Sequence, residues 1–266
     1  MIEATRAEAE ALQSFLAARG VSVWLGSAWD TARAKARLGG TDLLLTVGGD
    51  GTILRAAQIV IPGRTPITGI NLGKLGFMTE LEAAGARAEL PALLEKKGWL
   101  DERAMLKVTI AAPGRRARVY HALNDVVAAR GEIVRAVQIE AAVDGRHLAT
   151  YKADGVIAAT ATGSTGYALA AGGPVIHPSS RDFLLVPIAP HLNPGYPVVL
   201  PGTAELTLRV SAVHPAALSI DGHINLSLAG DDVITIRRSP HKIRFLRIRP
   251  AASFYGSLEE KLKGKR

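Results

Sequence analysis

The segment from Asp42 to Gln58 allows few folds. Asp42-Leu43-Leu44-Leu45-Thr46-Val47 reads as a buried strand, Gly48-Gly49-Asp50-Gly51-Thr52 follows it, and Ile53-Leu54-Arg55-Ala56-Ala57-Gln58 behind that is helix-like. A strand that runs through glycines into a helix is how α/β proteins bring backbone N–H groups close to phosphate. Three glycines around one carboxylate clear the neighbouring side chains from Asp50. An acid so exposed can work on a hydroxyl while phosphate lies beside it.

The rest of the first third keeps this rhythm. Glu3 to Arg19 is a predicted helix with Leu12, Phe15 and Leu16 on one face and Gly20 as its stop. Val21 to Leu25 reads as a strand, Ala28 to Leu38 as a short helix, Pro66 to Ile70 as a strand and Glu82 to Lys97 as a helix. This is a βαβ pattern and predicts a mostly parallel sheet. From about Asp101 strands dominate: Arg103 to Ala112, Val119 to Ala129, Val134 to Val143, Phe183 to Ile188, Ala204 to Val213 and Val233 to Ile236. Asp144-Gly145 marks a hairpin. Phe254 to Lys263 returns to helix. The expected organisation is an α/β domain over 1–100, a β-rich domain over 101–248, and a tail over 249–266 that is helical and packs on the first domain.

Several classes are excluded. No cysteine is present among the 266 residues, so disulfides and thiolate metal sites are out, in keeping with a reducing, cytoplasmic location. The N-terminus lacks the apolar core of a signal peptide. The uncharged stretches Gly155–Ser180 and Phe183–Ala204 are too rich in Gly, Ser, Thr or Pro to span a membrane, which takes about 20 predominantly apolar residues with the backbone satisfied internally. The net charge of +8 comes from scattered residues and fits a pocket for anionic small molecules. No nucleic-acid-binding signature accompanies it. The seven histidines show no metal-ligand spacing. Gly69 to Lys74 misses the P-loop pattern, and neither G-x-G-x-x-G nor G-x-S-x-G occurs.

Other segments carry polar groups where a core would not want them. Asn124-Asp125 interrupts an apolar strand. Either the pair marks a turn or cap, or it serves a ligand; buried without partners it would cost about 1–3 kcal/mol. Thr162-Gly163-Ser164-Thr165-Gly166-Tyr167-Ala168-Leu169-Ala170 leads hydroxyls and glycines into a short helix. It is either an anion- or ribose-binding corner or a capped, tightly packed small-residue helix. His223 follows the turn at Asp221-Gly222 and could reach a ligand.

Taken together, Gly48 to Thr52, Asn71-x-Gly-x-Leu-Gly-Phe77, Asn124-Asp125, Asp154-Gly155 through Tyr167, and Pro187-Ile188-Ala189-Pro190-His191 resemble the bacterial NAD kinases in identity and order. The resemblance runs from about Gly48 to His223, with a tail match at Ser253-Phe254-Tyr255. It implies an N-terminal α/β domain and a C-terminal β-rich domain with the active site between them. It also implies homodimers or homotetramers that phosphorylate the 2′-hydroxyl of the adenosine ribose of NAD. ATP, another triphosphate or polyphosphate is the donor, and a divalent cation such as Mg²⁺ is required.

By position, the resemblance implies that Asp50 accepts the hydroxyl proton and that Gly48, Gly49, Gly51 and Thr52 shape the donor-phosphate turn. The NAD contacts it implies are Asp50, Gly51, Arg55, Phe77, Asn124, Asp125, Arg135, Lys152, Asp154, Thr165, Gly166, Tyr167, Ala168, Leu169, Ala170 and His223. No protein-held metal site is implied. Relatives usually open with a strand and turn before the first helix, so this chain is expected to start further upstream or to lack one strand. Ala170 stands where some relatives carry a hydroxyl. Two other readings compete. A diacylglycerol- or sphingosine-type lipid kinase shares only the glycine–aspartate motif, and a non-catalytic regulator would bind NAD without phosphorylating it.

Overall fold

The computed structural model describes all residues except 1, 74, 96, 132–135, 192–194, 211–214, 231, 251–252, 257 and 264–266. The chain forms two compact units, Met1–Glu102 with Ile243–Arg266, and Arg103–Lys242. The first unit thus takes in the residues expected as a tail from 249 together with the last residues of the final strand, Val233–Arg247.

The first unit opens with α1 (Ile2–Ala17), α2 (Thr31–Ala36), β1 (Leu44–Val47), α3 (Asp50–Val60), β2 (Ile67–Asn71), β3 (Leu81–Glu82) and α4 (Ala83–Leu94). Gly20, at φ 76°, lets the chain leave α1, and the Val21 N–H donates back to the Leu16 carbonyl. The expected strand Val21–Leu25 is not one: residues 21–27 join no ladder. β-branched residues favour extended backbone, but a strand needs a neighbour to pair with. This segment is held instead by side chains, such as Trp24 Nε1 donating to Thr41 Oγ1 at 3.1 Å. β1 and β2 run parallel, with Val47 beside Ile70, and β2 pairs parallel with β3 through Ile70 and Leu81. Ile70 and Leu81 pack with Leu12 of α1 and Leu90 and Leu93 of α4. Each such buried side chain stabilises the unit by about 1.5–3 kcal/mol.

The second unit is built from strands: β4 (Trp99–Ala111), β5 (Arg118–Ala122), β6 (Asp125–Arg130), β7 (Val137–Val143), β8 (Arg146–Ala153), β9 (Gly155–Thr160), a 3₁₀ turn (Gly163–Thr165), α5 (Tyr167–Ala170), β10 (Phe183–Ile188), β11 (Val198–Leu200), β12 (Leu206–Val210), β13 (Ala216–Ile220), β14 (Ile224–Leu228) and β15 (Val233–Arg247). The short helices α6 (Ser253–Gly256) and α7 (Leu258–Lys263) follow in the first unit, and Phe245 of β15 pairs parallel with Ile67 there. One antiparallel sheet runs in the order β11-β10-β9-β6-β13-β14. The hairpin expected at Asp144-Gly145 joins β7 to β8, with both residues at positive φ. β9 is buried at every position because both faces are covered. Val156 and Ala158 face the large core with Phe183 and Leu206; Ile157 and Ala159 face a smaller cluster with Ala168 and Val186. This explains its unbroken apolar run.

The single strand expected over Val119–Ala129 is two, β5 and β6, interrupted at Leu123-Asn124. β5 pairs with β4, whereas β6 pairs with β9 and β13. The ladder breaks because the N–H groups of Leu123, Asn124 and Asp125 all donate to the Asp221 carboxylate.

Candidate functional site

The first cluster lies in the first unit, where β1 gives way to α3. Gly48 sits at φ 143°, and a Cβ there would lie 2.5 Å from Thr52 Oγ1. Gly49 caps α3, and Asp50 is its first residue. A Cβ on Gly49 or Gly51 would meet nothing within 4 Å, so both leave their backbone open to a ligand. The half-buried Asp50 carboxylate accepts three successive N–H groups: Phe77 on Oδ2 at 2.9 Å, and Met78 and Thr79 on Oδ1 at 3.1 and 3.3 Å. A carboxylate has about four lone-pair sites, so the orientation is held while one acceptor direction stays open. Gly76 makes the approach possible, since a Cβ there would stand 2.3 Å from Oδ1.

Behind this loop lies a buried ion cluster. Arg247 donates to Glu80 Oε2 at 3.0 Å, to Asp101 Oδ2 at 3.2 Å and to the Met78 carbonyl at 2.8 Å. Met78 therefore links Arg247 to Asp50 through its two backbone groups. Lys261 of α7 holds its Nζ 5.8 Å from the Phe77 ring centroid. Burial and the nearby Arg247 guanidinium lower its proton affinity, against the pull of Asp50 and Glu80. Arg55, on α3, stacks its guanidinium 4.9 Å from the Trp29 ring centroid.

The second cluster lies in the second unit at the β5–β6 break. Thr160 Oγ1 donates to the Leu123 carbonyl at 2.6 Å, and the Thr160 N–H donates to the Asn124 carbonyl at 2.8 Å. A Cβ on Gly163 would lie 2.1 Å from that carbonyl oxygen, so the 3₁₀ turn packs directly on Asn124. The corner's hydroxyls largely serve the fold: Ser164 Oγ donates to the Ala161 carbonyl and accepts the Ile176 N–H, and Thr162 accepts from Arg103. α5 is four residues long and offers no substantial helix terminus. Asn124 Oδ1 is buried and receives no hydrogen bond from the described residues. A buried acceptor in that state calls for a partner such as an ordered water, an ion or a ligand. Beside it Asp125 is 8% exposed. Burial first, and the Asp221 charge second, push its carboxyl up to about 7.

The remaining expected contacts are spread through the second unit. A Cβ on Gly166 would lie 3.8 Å from Asn124 Nδ2, Tyr167 is exposed, and Thr165 is buried and donates to the Thr162 carbonyl. Ala168 is fully buried among Val127, Ile157 and Leu184; Leu169 is half-buried and Ala170 exposed. Lys152 is exposed on β8, and Asp154 pairs with Arg130 at 3.1 Å. His223 Nδ1 lies 3.1 Å from the Asp221 carbonyl oxygen. Arg135 lies outside the described residues. Residue-by-residue reading missed Gly76, Lys261 and Asp221. The glycine before Phe77 was in view within its motif, but nothing local ties it to Asp50.

Among the described residues no three His, Asp or Glu side chains gather to hold a metal ion. No helix among them is long and apolar enough to cross a membrane.

The ATP-NAD kinase N-terminal domain family matches residues 5–98, and the ATP-NAD kinase C-terminal domain family matches residues 123–248. An NAD kinase of Dehalococcoides mccartyi is 44% identical over 246 residues, covering 92% of this chain and 87% of that protein. One from Chloroflexus aggregans is 38% identical over 252 residues, covering 95% and 91%. Among solved structures, an NAD kinase from Archaeoglobus fulgidus in complex with ATP has a TM-score of 0.77 at 27% identity, covering 96% of this chain and 94% of that one. Yeast NADH kinase complexed with NADH also has a TM-score of 0.77, at 28% identity, covering 84% and 66%. A match that extends over both regions does not support the lipid-kinase alternative, which shares the glycine–aspartate motif alone.

Proposed function

Since this chain belongs to the NAD kinase family, we propose that it transfers the terminal phosphate of ATP to the 2′-hydroxyl of the adenosine ribose of NAD, making NADP. The observation that carries this reading is the Asp50 carboxylate, held by the N–H groups of Phe77, Met78 and Thr79 beside a side-chain-free glycine turn. Asp50 receives the hydroxyl proton in its open acceptor direction, for which a general base contributes about 10²–10⁴-fold. Phosphoryl transfer otherwise asks for positioning and charge neutralisation. The backbone of Gly48, Gly49 and Gly51 and the start of α3 serve the donor phosphates. Asn124, Asp125 and the Thr165–Ala170 corner hold the dinucleotide, with Arg55, Phe77, Lys152, Asp154 and His223 as further contacts.

A divalent cation such as Mg²⁺, which keeps several waters and takes few protein ligands, would come with the donor's phosphates. Polyphosphate as an alternative donor, a homodimeric or homotetrameric state and a cytoplasmic location belong to the same reading.

The test is NADP formation from NAD, ATP and Mg²⁺ by wild type and Asp50→Asn. The variant should turn over at least about a hundredfold more slowly with NAD binding retained by calorimetry. Unchanged turnover would remove Asp50 from the base role. NAD binding by the wild type with no NADP formed would favour the regulator. Asn124→Ala and Tyr167→Ala should mainly raise KM for NAD, and a donor panel including polyphosphate reads the donor preference.

A further inference from the structure

We propose that Asp221 is a positioning residue for NAD: its carboxylate clasps the backbone of Leu123, Asn124 and Asp125 so that Asn124 and Asp125 present their side chains to the dinucleotide. This rests on the reading of those two residues as NAD contacts.

The clasp is complete on both sides. Oδ2 accepts the Leu123 N–H at 2.9 Å, and Oδ1 accepts those of Asn124 and Asp125 at 2.7 and 3.2 Å. In return the Asp221 N–H donates to the Asp125 carbonyl at 2.9 Å. Three consecutive N–H groups aimed at one carboxylate cannot also serve a ladder, which is why β5 ends and β6 starts here. The bonds are charge-assisted and buried, since Asp221 is only 5% exposed. Asp221 itself sits at φ 50°, with Gly222 at 68°, at the tip of the β13–β14 hairpin. Asp followed by Gly takes up this region readily in hairpin turns, as Asp144-Gly145 does elsewhere in the chain. The product of this arrangement is visible beside it: Asn124 Oδ1, buried and without a donor among the described residues.

Asp221 also bears on charge: burial first, and the Asp221 carboxylate second, raise the Asp125 carboxyl. Among the described residues His223 also meets this pair, its ring nitrogen 3.1 Å from the Asp221 carbonyl oxygen. Asp125 therefore becomes a pure acceptor as pH rises through about 7, and NAD binding through that carboxylate tightens over the same interval.

The experiment compares wild type with Asp221→Asn and Asp221→Ser, measuring KM for NAD across pH, KM for ATP, kcat and melting temperature. An Asn must turn its NH₂ toward one of the donors, and a Ser supplies one oxygen for three of them. In a folded variant we expect KM for NAD to rise at least about tenfold, with much smaller changes in KM for ATP and kcat. In Asp221→Asn the midpoint of the NAD profile should also move to lower pH. A folded variant with wild-type KM for NAD, an unmoved profile, or equal losses in KM for ATP and kcat overturns the proposal. If neither variant folds, amide hydrogen exchange in the wild type decides: Leu123, Asn124 and Asp125 amides that exchange slowly and are slowed further by NAD sustain the proposal, and amides that exchange as fast as exposed loop amides overturn it. A wild type that makes no NADP refutes the kinase reading instead. NADP formation with a raised KM in Asn124→Ala but not in Asp221→Asn refutes only the clasp.

Discussion

Gly76 leaves no room for a side chain beside Asp50: a Cβ there would lie 2.3 Å from Oδ1 and 2.7 Å from Cγ. Gly76→Ala must therefore push the carboxylate away from the N–H groups of Phe77, Met78 and Thr79. A misplacement of about 1 Å can cost about 10²-fold in rate, and we expect kcat to fall by that order. Buried donors left without acceptors should also lower stability by about 1–3 kcal/mol, read by denaturant unfolding. Gly51→Ala is the companion, because a Cβ there meets nothing within 4 Å. Its stability should hold or rise, so any loss of rate would report contact with substrate.

The Asp125 carboxyl predicts an unusual pH dependence of stability. Its proton affinity is raised from 3.8 to about 7 in the folded protein. Between those values the folded state binds more protons than the unfolded one. This group's contribution is fully present below the unfolded value and is lost as pH rises through about 7. The slope is at most about 1.4 kcal/mol per pH unit. Asp125→Asn should gain stability relative to wild type as pH rises from 5 to 8 in urea unfolding. Parallel stability curves for the two proteins across that range would contradict the shift.

Arg247 pairs with both Glu80 and Asp101, and all three side chains are at most 10% exposed. Removing the cation takes its charge from two buried carboxylates, of which Glu80 keeps the N–H groups of Ile248 and Arg249, and breaking such a buried pair costs about 3–5 kcal/mol. Arg247→Met should therefore lower the unfolding free energy by that amount, and adding Glu80→Gln should restore part of it. Since the Met78 carbonyl accepts from Arg247 while its N–H holds Asp50, kcat should fall in Arg247→Met as well. A loss of stability with full turnover would show that the cluster does not support Asp50.

What could be read along the chain is what neighbouring residues settle between themselves. The Leu44–Val47 strand, its glycine turn and the α3 helix follow from local composition and from the conformational freedom of glycine. The apolar run of β9 and the Asp144-Gly145 hairpin are legible for the same reason, and so is the change from alternating helices and strands to strands alone. The Asn124-Asp125 pair stood out because polar residues inside an apolar run need partners.

Which partners they have was decided only in three dimensions. Asp221 reaches Leu123 across 98 residues of chain, and the Phe77 N–H reaches Asp50 across 27. No periodicity records a hydrogen bond between such distant groups. For the same reason Val119–Ala129 reads as one strand although Asp221 divides it, and Val21–Leu25 reads as a strand although it joins no ladder among the described residues. Local pattern states what a segment can do; the donor, acceptor or neighbouring strand that makes it do so arrives from elsewhere in the chain when the fold closes.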